Sequence, residues 1–216
     1  ADFSEPYAVP LGRALQLIVF DSARAGNVPL KKDNAKDELT RSTYLSQLRA
    51  VTALAAAPGR NSWFASHHPV LAFAPDPWHP GAIFAGNPAL QHSLREVNGE
   101  AYFAPGVRLA LHGHVHLFEA LRFESNHAPT LVAGHGGDDL DIDLPIAAVQ
   151  SASPAPGVRV GQITHSSSFG FLMLQRVSGD SDEWSVTAFR TDGSVLTRCA
   201  LTHDGALGCT PDGWLR

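Results

Sequence analysis

The stretch Val107-Arg108-Leu109-Ala110-Leu111-His112-Gly113-His114-Val115-His116 decides how this chain is read, because an apolar run that fits a buried strand empties directly into Gly-His-x-His. Open α/β sheets keep their ligands in the loops at the carboxyl ends of their strands, so imidazoles delivered there stand where binding and chemistry occur. In an extended backbone side chains alternate, which would send His114 and His116 to the same side and turn Val115 away. Gly113, lacking a Cβ, lets the chain turn sharply or approach a bound ion closely. Alone, a His-x-His pair at a strand end is more often a solvent-exposed feature than a site.

A second strand end changes that balance. Trp63-Phe64-Ala65-Ser66-His67-His68-Pro69 repeats the arrangement of an apolar run followed by histidine, so a third imidazole arrives from a separate strand. Pro69 restricts His68 toward an extended conformation, which aims one of the two histidines inward and the other away. The spacing does not choose between them. His68 reads either as a hydrogen-bonded flank, the simpler role, or as a contact to substrate.

Working outward, Leu15–Phe20 is a compact apolar run with the character of a buried strand that ends at Asp21. Tyr44, Leu45, Leu48, Val51 and Leu54 recur at helical steps behind Ser42 or Thr43 as caps, and Pro58-Gly59 ends the pattern. Residues 69–80 form a Pro-rich, Trp-containing loop long enough to cover a site. Asn87 as cap, Pro88 at the first helical position, the apolar face Leu90, Leu94 and Val97, and the stop Gly99 predict a second helix. The order is strand, helix, strand, helix, strand. After His116 the pattern predicts strands without intervening helices, at Thr130–Ala133, 169–177, 184–189 and 194–201, with Thr191-Asp192-Gly193 as a hairpin turn. Residues 151–161 read as a loop. An α/β part followed by antiparallel strands predicts one layered domain over residues 1–216.

Composition narrows the functional classes. The 216 residues are 44% hydrophobic and 17% charged, enough for a sizeable core and unlike a disordered chain. With a net charge of -5 and its one lysine cluster, Lys31-Lys32 with Lys36, interleaved with Asp33, Asp37 and Glu38, the sequence offers no nucleic-acid-binding patch. No apolar stretch reaches the roughly 20 residues of a membrane span. The first residues lack the pattern of a signal peptide, and an opening on Ala1 rather than methionine implies that a leader or larger piece precedes it. Cys199 and Cys209, flanking the turn-rich Thr202-His203-Asp204-Gly205-Ala206, predict a disulfide and with it an oxidising compartment, periplasmic or secreted.

Trp63 through Val70 and Leu111 through His116 together resemble the later motifs of the calcineurin-like metallophosphoesterases, the superfamily that includes the purple acid phosphatases. Val132-Ala133-Gly134-His135-Gly136-Gly137 resembles the Gly-rich turn that follows Gly-His-x-His there, and Ser168-Phe169-Gly170-Phe171 with the later Trp184 hairpin resembles the closing strands of bacterial members. The resemblance implies an α/β (α+β) fold that is part of a four-layer αββα sandwich, with a mixed sheet and C-terminal antiparallel strands. It implies that His67 and His114 ligate one metal and His116 the other, in a dinuclear centre of zinc, iron or manganese acting on a phosphate ester. Two cations about 3.5 to 4 Å apart activate a bridging water and neutralise phosphoryl charge. His68 and His135 would be substrate-side contacts.

The chain departs from that family at its start. Asp-x-His, Gly-Asp-x-x-Asp and Gly-Asn-His-Asp/Glu belong before the Leu15 strand, and residues 1–14 hold none of them. The chain thus resembles the C-terminal part of an enzyme, its remaining ligands coming from the missing N-terminal segment or another protomer. Gly137-Asp138-Asp139-Leu140-Asp141 matches the second motif in letters but in the wrong place, and reads as a solvated turn, with metal assistance from Asp138 or Asp141 as the alternative. Two other functions compete: a mononuclear zinc hydrolase using His67, His114 and His116 with water in the fourth position, and a non-catalytic binding remnant. Trp63, Trp78 and Trp184 read as core or loop anchors, Trp78 bordering the site. His79, His92, His112, His127, His165 and His203 receive no role.

Overall fold

Tyr7–Pro10 (β1) turns back antiparallel onto Leu15–Phe20 (β2), and the helix Ala35–Ala55 (α1) then carries the chain to Asn61–Ser66 (β3), parallel to β2. This is a computed structural model, and it describes residues 4–26, 28, 30, 31, 33–179 and 181–210. Ala1 and Lys32 of the sequence reading lie outside them. A short hairpin, Phe73–Pro75 (β4) with Ile83–Ala85 (β5), occupies the long loop, and helix Pro88–Asn98 (α2) leads to Val107–His112 (β6), parallel to β3.

Phe118–Phe123 (β7) and Thr130–Ala133 (β8) follow, with β8 inserted parallel to β6 and antiparallel to β7. One helix, Ile146–Ser151 (α3), interrupts the region expected to hold strands alone. Val160–Ser166 (β9) completes a seven-stranded sheet in the order β1-β2-β3-β6-β8-β7-β9. Gly170–Arg176 (β10), Trp184–Arg190 (β11), Val195–Leu201 (β12) and Leu207–Thr210 (β13) form a second, antiparallel sheet in chain order.

Alternation along the strands builds two cores. On one face of the large sheet Ile18, Phe20, Phe64, Ala110 and Val132 pack with Tyr44 and Leu48 of α1 and Leu90 and Leu94 of α2. On the other, Leu15, Trp63, Leu109, Phe118 and Leu131 meet Val186, Cys199, Leu201 and Leu207 of the second sheet. Each fully buried side chain of this size contributes roughly 1.5–3 kcal/mol. Trp63 and Trp184 meet edge to face at 4.8 Å between centroids, which fits their reading as anchors, whereas Trp78 is 75% exposed at the hairpin tip.

Helix α2 follows the sequence signals: the Asn87 side-chain Oδ1 accepts from the Leu90 N–H at 3.0 Å, and Gly99 ends the helix at φ 65°. Helix α1 does not start where expected. It begins at Ala35 behind Asn34, whose Oδ1 accepts from the N–H groups of Lys36 and Asp37 at 3.0 and 3.2 Å. Ser42 and Thr43, expected as caps, lie inside the helix and return their hydroxyls to the Leu39 carbonyl at 3.0 and 2.8 Å. The first two turns are polar and largely exposed, so they carry no apolar stripe for periodicity to reveal. They hold instead through the cap and through Asp37 and Glu38, whose charge suits a helix N-terminus. Strands β1, β4, β5, β7, β9 and β13 also escaped the sequence reading.

The disulfide forms as expected. Cys199 and Cys209 are directly opposed on β12 and β13, 2.05 Å apart at sulfur and buried in the inter-sheet core. Reduction should lower stability by about 3 kcal/mol on chain entropy alone, read from urea denaturation of the oxidised and reduced protein.

Glu119 is wholly buried on the helix-facing side of β7, and its Oε2 accepts the Phe73 N–H at 3.1 Å, tying the hairpin to the central sheet. Burial pushes its pKa up from 4.5 to about 8, so folded Glu119 keeps its proton where an unfolded chain would release it. Its contribution is therefore full below pH 4.5 and is lost as pH rises toward about 8, by at most about 1.4 kcal/mol per pH unit. Glu119→Gln should gain stability relative to wild type at about pH 8 and little at about pH 5, measured by denaturant midpoints at both.

Candidate metal centre

Parallel pairing of β3 with β6 brings Ser66 beside His112, and the pairing runs one step further because the Gly113 N–H donates to the His67 carbonyl at 3.1 Å. Two loop starts are thereby held side by side. Beyond them the backbone departs from the extended course expected of it. The strand ends at His112, and His114 adopts φ 67°, left-handed and costly by roughly 1–2 kcal/mol for a residue with a Cβ. The N–H groups of Val115 and Leu117 each bond the carbonyl two residues back, at 2.8 Å.

That turn sets the His114 ring against His67, with Nδ1 and Nε2 3.2 Å apart. His68 joins them, its ring centroid 4.1 Å from that of His114 and 5.0 Å from that of His67. One ring nitrogen from each of His67, His68 and His114 lies within 4.8 Å of the others. The group stands at the carboxyl edge of the parallel strands, with His67 exposed and His68 buried beneath it.

Serines hold the buried part in place. Ser22 Oγ accepts the His68 N–H at 2.9 Å and lies 3.1 Å from His68 Nδ1. Ser66 Oγ donates to the His68 carbonyl at 2.9 Å, so its contact with His112 Nδ1 at 3.0 Å makes that ring nitrogen the donor. Neither serine was singled out from sequence, although each sits at a strand end on the same edge as the histidines. His112, given no role, is a buried support under the site.

The electrostatics favour neutral imidazoles. Burial first, and then the neighbouring His114 and His67, push His68 down from 6.5 to about 4. Burial also lowers His114, with His67 and His116 adding to the effect and Asp141 opposing it. Burial takes His112 to about 3. A neutral ring keeps the lone pair that a cation requires, so the donor set of three close imidazoles fits a transition-metal cation of the kind imidazole binds.

His116 does not belong to the group of three. It is exposed, and its turn is clamped by Asp141: the His116 N–H donates to Asp141 Oδ2 at 2.7 Å, and the Asp141 N–H donates to the His116 carbonyl at 3.0 Å. Asp138 and Asp139 are exposed, as a solvated turn requires, while Asp141 is half-buried. His135 is wholly buried, 5.7 Å from Phe118 between ring centroids and lying under Gly170, where any Cβ would come within 3.0 Å of its ring. Of the remaining histidines, His79 bonds Asp76 at 2.8 Å and His165 stands 3.8 Å from Asp143.

No protein-family model matches the chain, and no curated protein matches it. Solved structures match it in fold. PhoD is 10% identical over 98% of this chain and 44% of its own, with a TM-score of 0.55. GAP50, described as the anchor in the inner membrane complex of Plasmodium, is 15% identical over 89% of this chain and 51% of its own, with a TM-score of 0.50. The chain thus spans about half the length of these structures. With the mixed seven-stranded sheet and the antiparallel C-terminal sheet, these likenesses support a metallophosphoesterase-like fold.

Proposed function

We propose that this chain carries part of the active site of a metal-dependent phosphoric ester hydrolase. The observation that supports it most is the meeting of three imidazoles, His67, His68 and His114, from two neighbouring strand ends. In this reading His67 and His114 hold one cation and His116 holds a second, each being zinc, iron or manganese. A metal pair in such a place lowers the pKa of a water and neutralises charge on the phosphoryl group.

The protein's own residues do the preparatory work. Ser22 and Ser66 fix His68 through its backbone and its ring. Burial keeps His68 and His114 unprotonated at neutral pH, and Asp141 holds the turn that presents His116. No carboxylate belongs to the imidazole group among the described residues. The acidic ligands of a dinuclear centre would come from polypeptide outside these residues or from another protomer. The Cys199–Cys209 disulfide fits a periplasmic or secreted protein, and no helix among the described residues is long and apolar enough to cross a membrane.

The compact group of three favours one rival, a single zinc held by three imidazoles with its fourth position open to water. Elemental analysis of the purified chain separates the readings: two metals per chain support the dinuclear centre, one with brisk hydrolysis of a generic phosphomonoester supports the rival, and none supports a binding domain. His114→Ala should abolish metal retention while leaving the denaturation curve close to wild type, because the ring is half-exposed. If His68 is a ligand, as in the three-imidazole reading, Ser22→Ala, which frees its ring, should weaken metal binding by roughly 10- to 100-fold, the scale of outer-shell losses; in the dinuclear reading metal affinity should stay close to wild type.

Removing the Asp141 clamp acts on a different observable. Asp141→Ala should speed amide exchange at His116 by roughly 10-fold, the equivalent of one charge-assisted hydrogen bond, with exchange in β6 unchanged. Unaltered exchange at His116 would show that the clamp does not order the turn.

A further inference from the structure

At the end of the large sheet opposite the imidazoles lies a cleft of about 530 Å³, a size that suits a small molecule. Phe103, Val107 and Phe123 form its buried apolar floor, and Arg108 and Arg122 stand on its wall. The length of β6 separates it from the histidine loop by roughly 20 Å, at about 3.3 Å per residue. The hydrolysis proposed above gives these arginines no task.

Three departures from regular backbone converge there. Ser62 pairs with Val107 but Trp63 with Leu109, so Arg108 is the extra residue of a β-bulge. Arg122 pairs with Gln162 but Phe123 with Val160, so Gly161 is the extra residue of another, directly beside Arg122. These are two of the three register shifts in the described sheets. Bulges re-aim side chains and gather next to functional sites. Tyr102, between the cleft residues Ala101 and Phe103, has φ 58°, and His114 is the only other non-glycine residue at positive φ among the described residues. Backbone held in that way clusters where ligands are clamped.

The two guanidinium groups are positioned but not neutralised. Arg108 packs its stem against Gly205, where a Cβ would come within 3.4 Å of it, and donates from Nε to Asn61 Oδ1 at 3.2 Å. Arg122 extends past Gly161, where a Cβ would stand 3.3 Å from its Nη1, and its guanidinium has no hydrogen bond or ion pair among the described residues. The carboxylates on the rim are engaged, Glu124 with Arg159 at 3.7 Å and Asp204 with the Thr202 hydroxyl. Strands β6 and β7 flank β8, which sets the two arginine backbones roughly 10 Å apart, a span that long side chains close over one anion. We propose that the cleft binds a small organic anion, its carboxylate or phosphate between Arg108 and Arg122 and its apolar body on Phe103 and Phe123. Planar guanidinium groups match the oxygens of either oxyanion, and the buried floor shelters an apolar body from water. This site stands apart from the metal centre and does not rest on the hydrolase reading.

The test is an amide chemical-shift titration of this chain with phenylphosphonate and with benzoate, beside inorganic phosphate and neutral benzyl alcohol as controls. Phenylphosphonate or benzoate should give saturable shifts at Arg108 and in residues 122–128, roughly 10-fold more tightly than either control, and the tighter of the two identifies the oxyanion. Arg108→Gln and the exposed Arg122→Gln should each weaken that binding by roughly 10-fold, the scale of one charge-assisted hydrogen bond, with the denaturation midpoint unchanged. His114→Ala should leave it intact. Shifts confined to the histidine loop, equal binding of inorganic phosphate or benzyl alcohol, binding that survives both arginine substitutions, or no binding of either probe would overturn the proposal.

Discussion

The parallel pairing of β3 with β6, carried one residue past both strands by the Gly113 N–H on the His67 carbonyl, is the constraint on which the site depends. It fixes two loops at the same height, so imidazoles 47 residues apart in sequence meet at 3.2 Å. The left-handed His114 then does what an extended residue would not, folding its ring back over the neighbouring loop. Conformations of that kind persist only where the surroundings over-determine them. Here the surroundings are the Gly113 bond on one side and the Asp141 clamp on the other.

Beneath the imidazoles the helix-facing side of the large sheet turns polar. Ser66, His112, Val132, Glu119 and His165 are cross-strand neighbours in one row, from β3 to β9. Burying charge there would be expensive, and burial drives His112 and Glu119 in opposite directions to the same result, a neutral row at neutral pH. The row supports its neighbours by hydrogen bonding: His112 through Ser66 to the His68 carbonyl, and Glu119 to the hairpin that leaves Pro69. The site and the apolar core are thus joined through groups held uncharged.

The other face tells a complementary story. Where β11 to β13 cover the large sheet, Leu109, Leu131 and Phe118 are fully buried and the disulfide locks the last two strands.

Much of this was legible in the chain because it is local. The strand–helix–strand–helix–strand order, the Asn87 cap and Gly99 stop, the cysteine pair and the two histidine signals each declare themselves within a few residues, where propensity and periodicity act. The polar first turns of α1 were silent because an exposed helix has no stripe, and β7, with Glu119 and Arg122 among its apolar residues, has no clean alternation. Only the tertiary structure decided that His68 joins His67 and His114, that His116 stands apart under Asp141, and that His135 is enclosed. Those outcomes depend on register between strands distant in sequence and on one left-handed residue, and no local pattern encodes either.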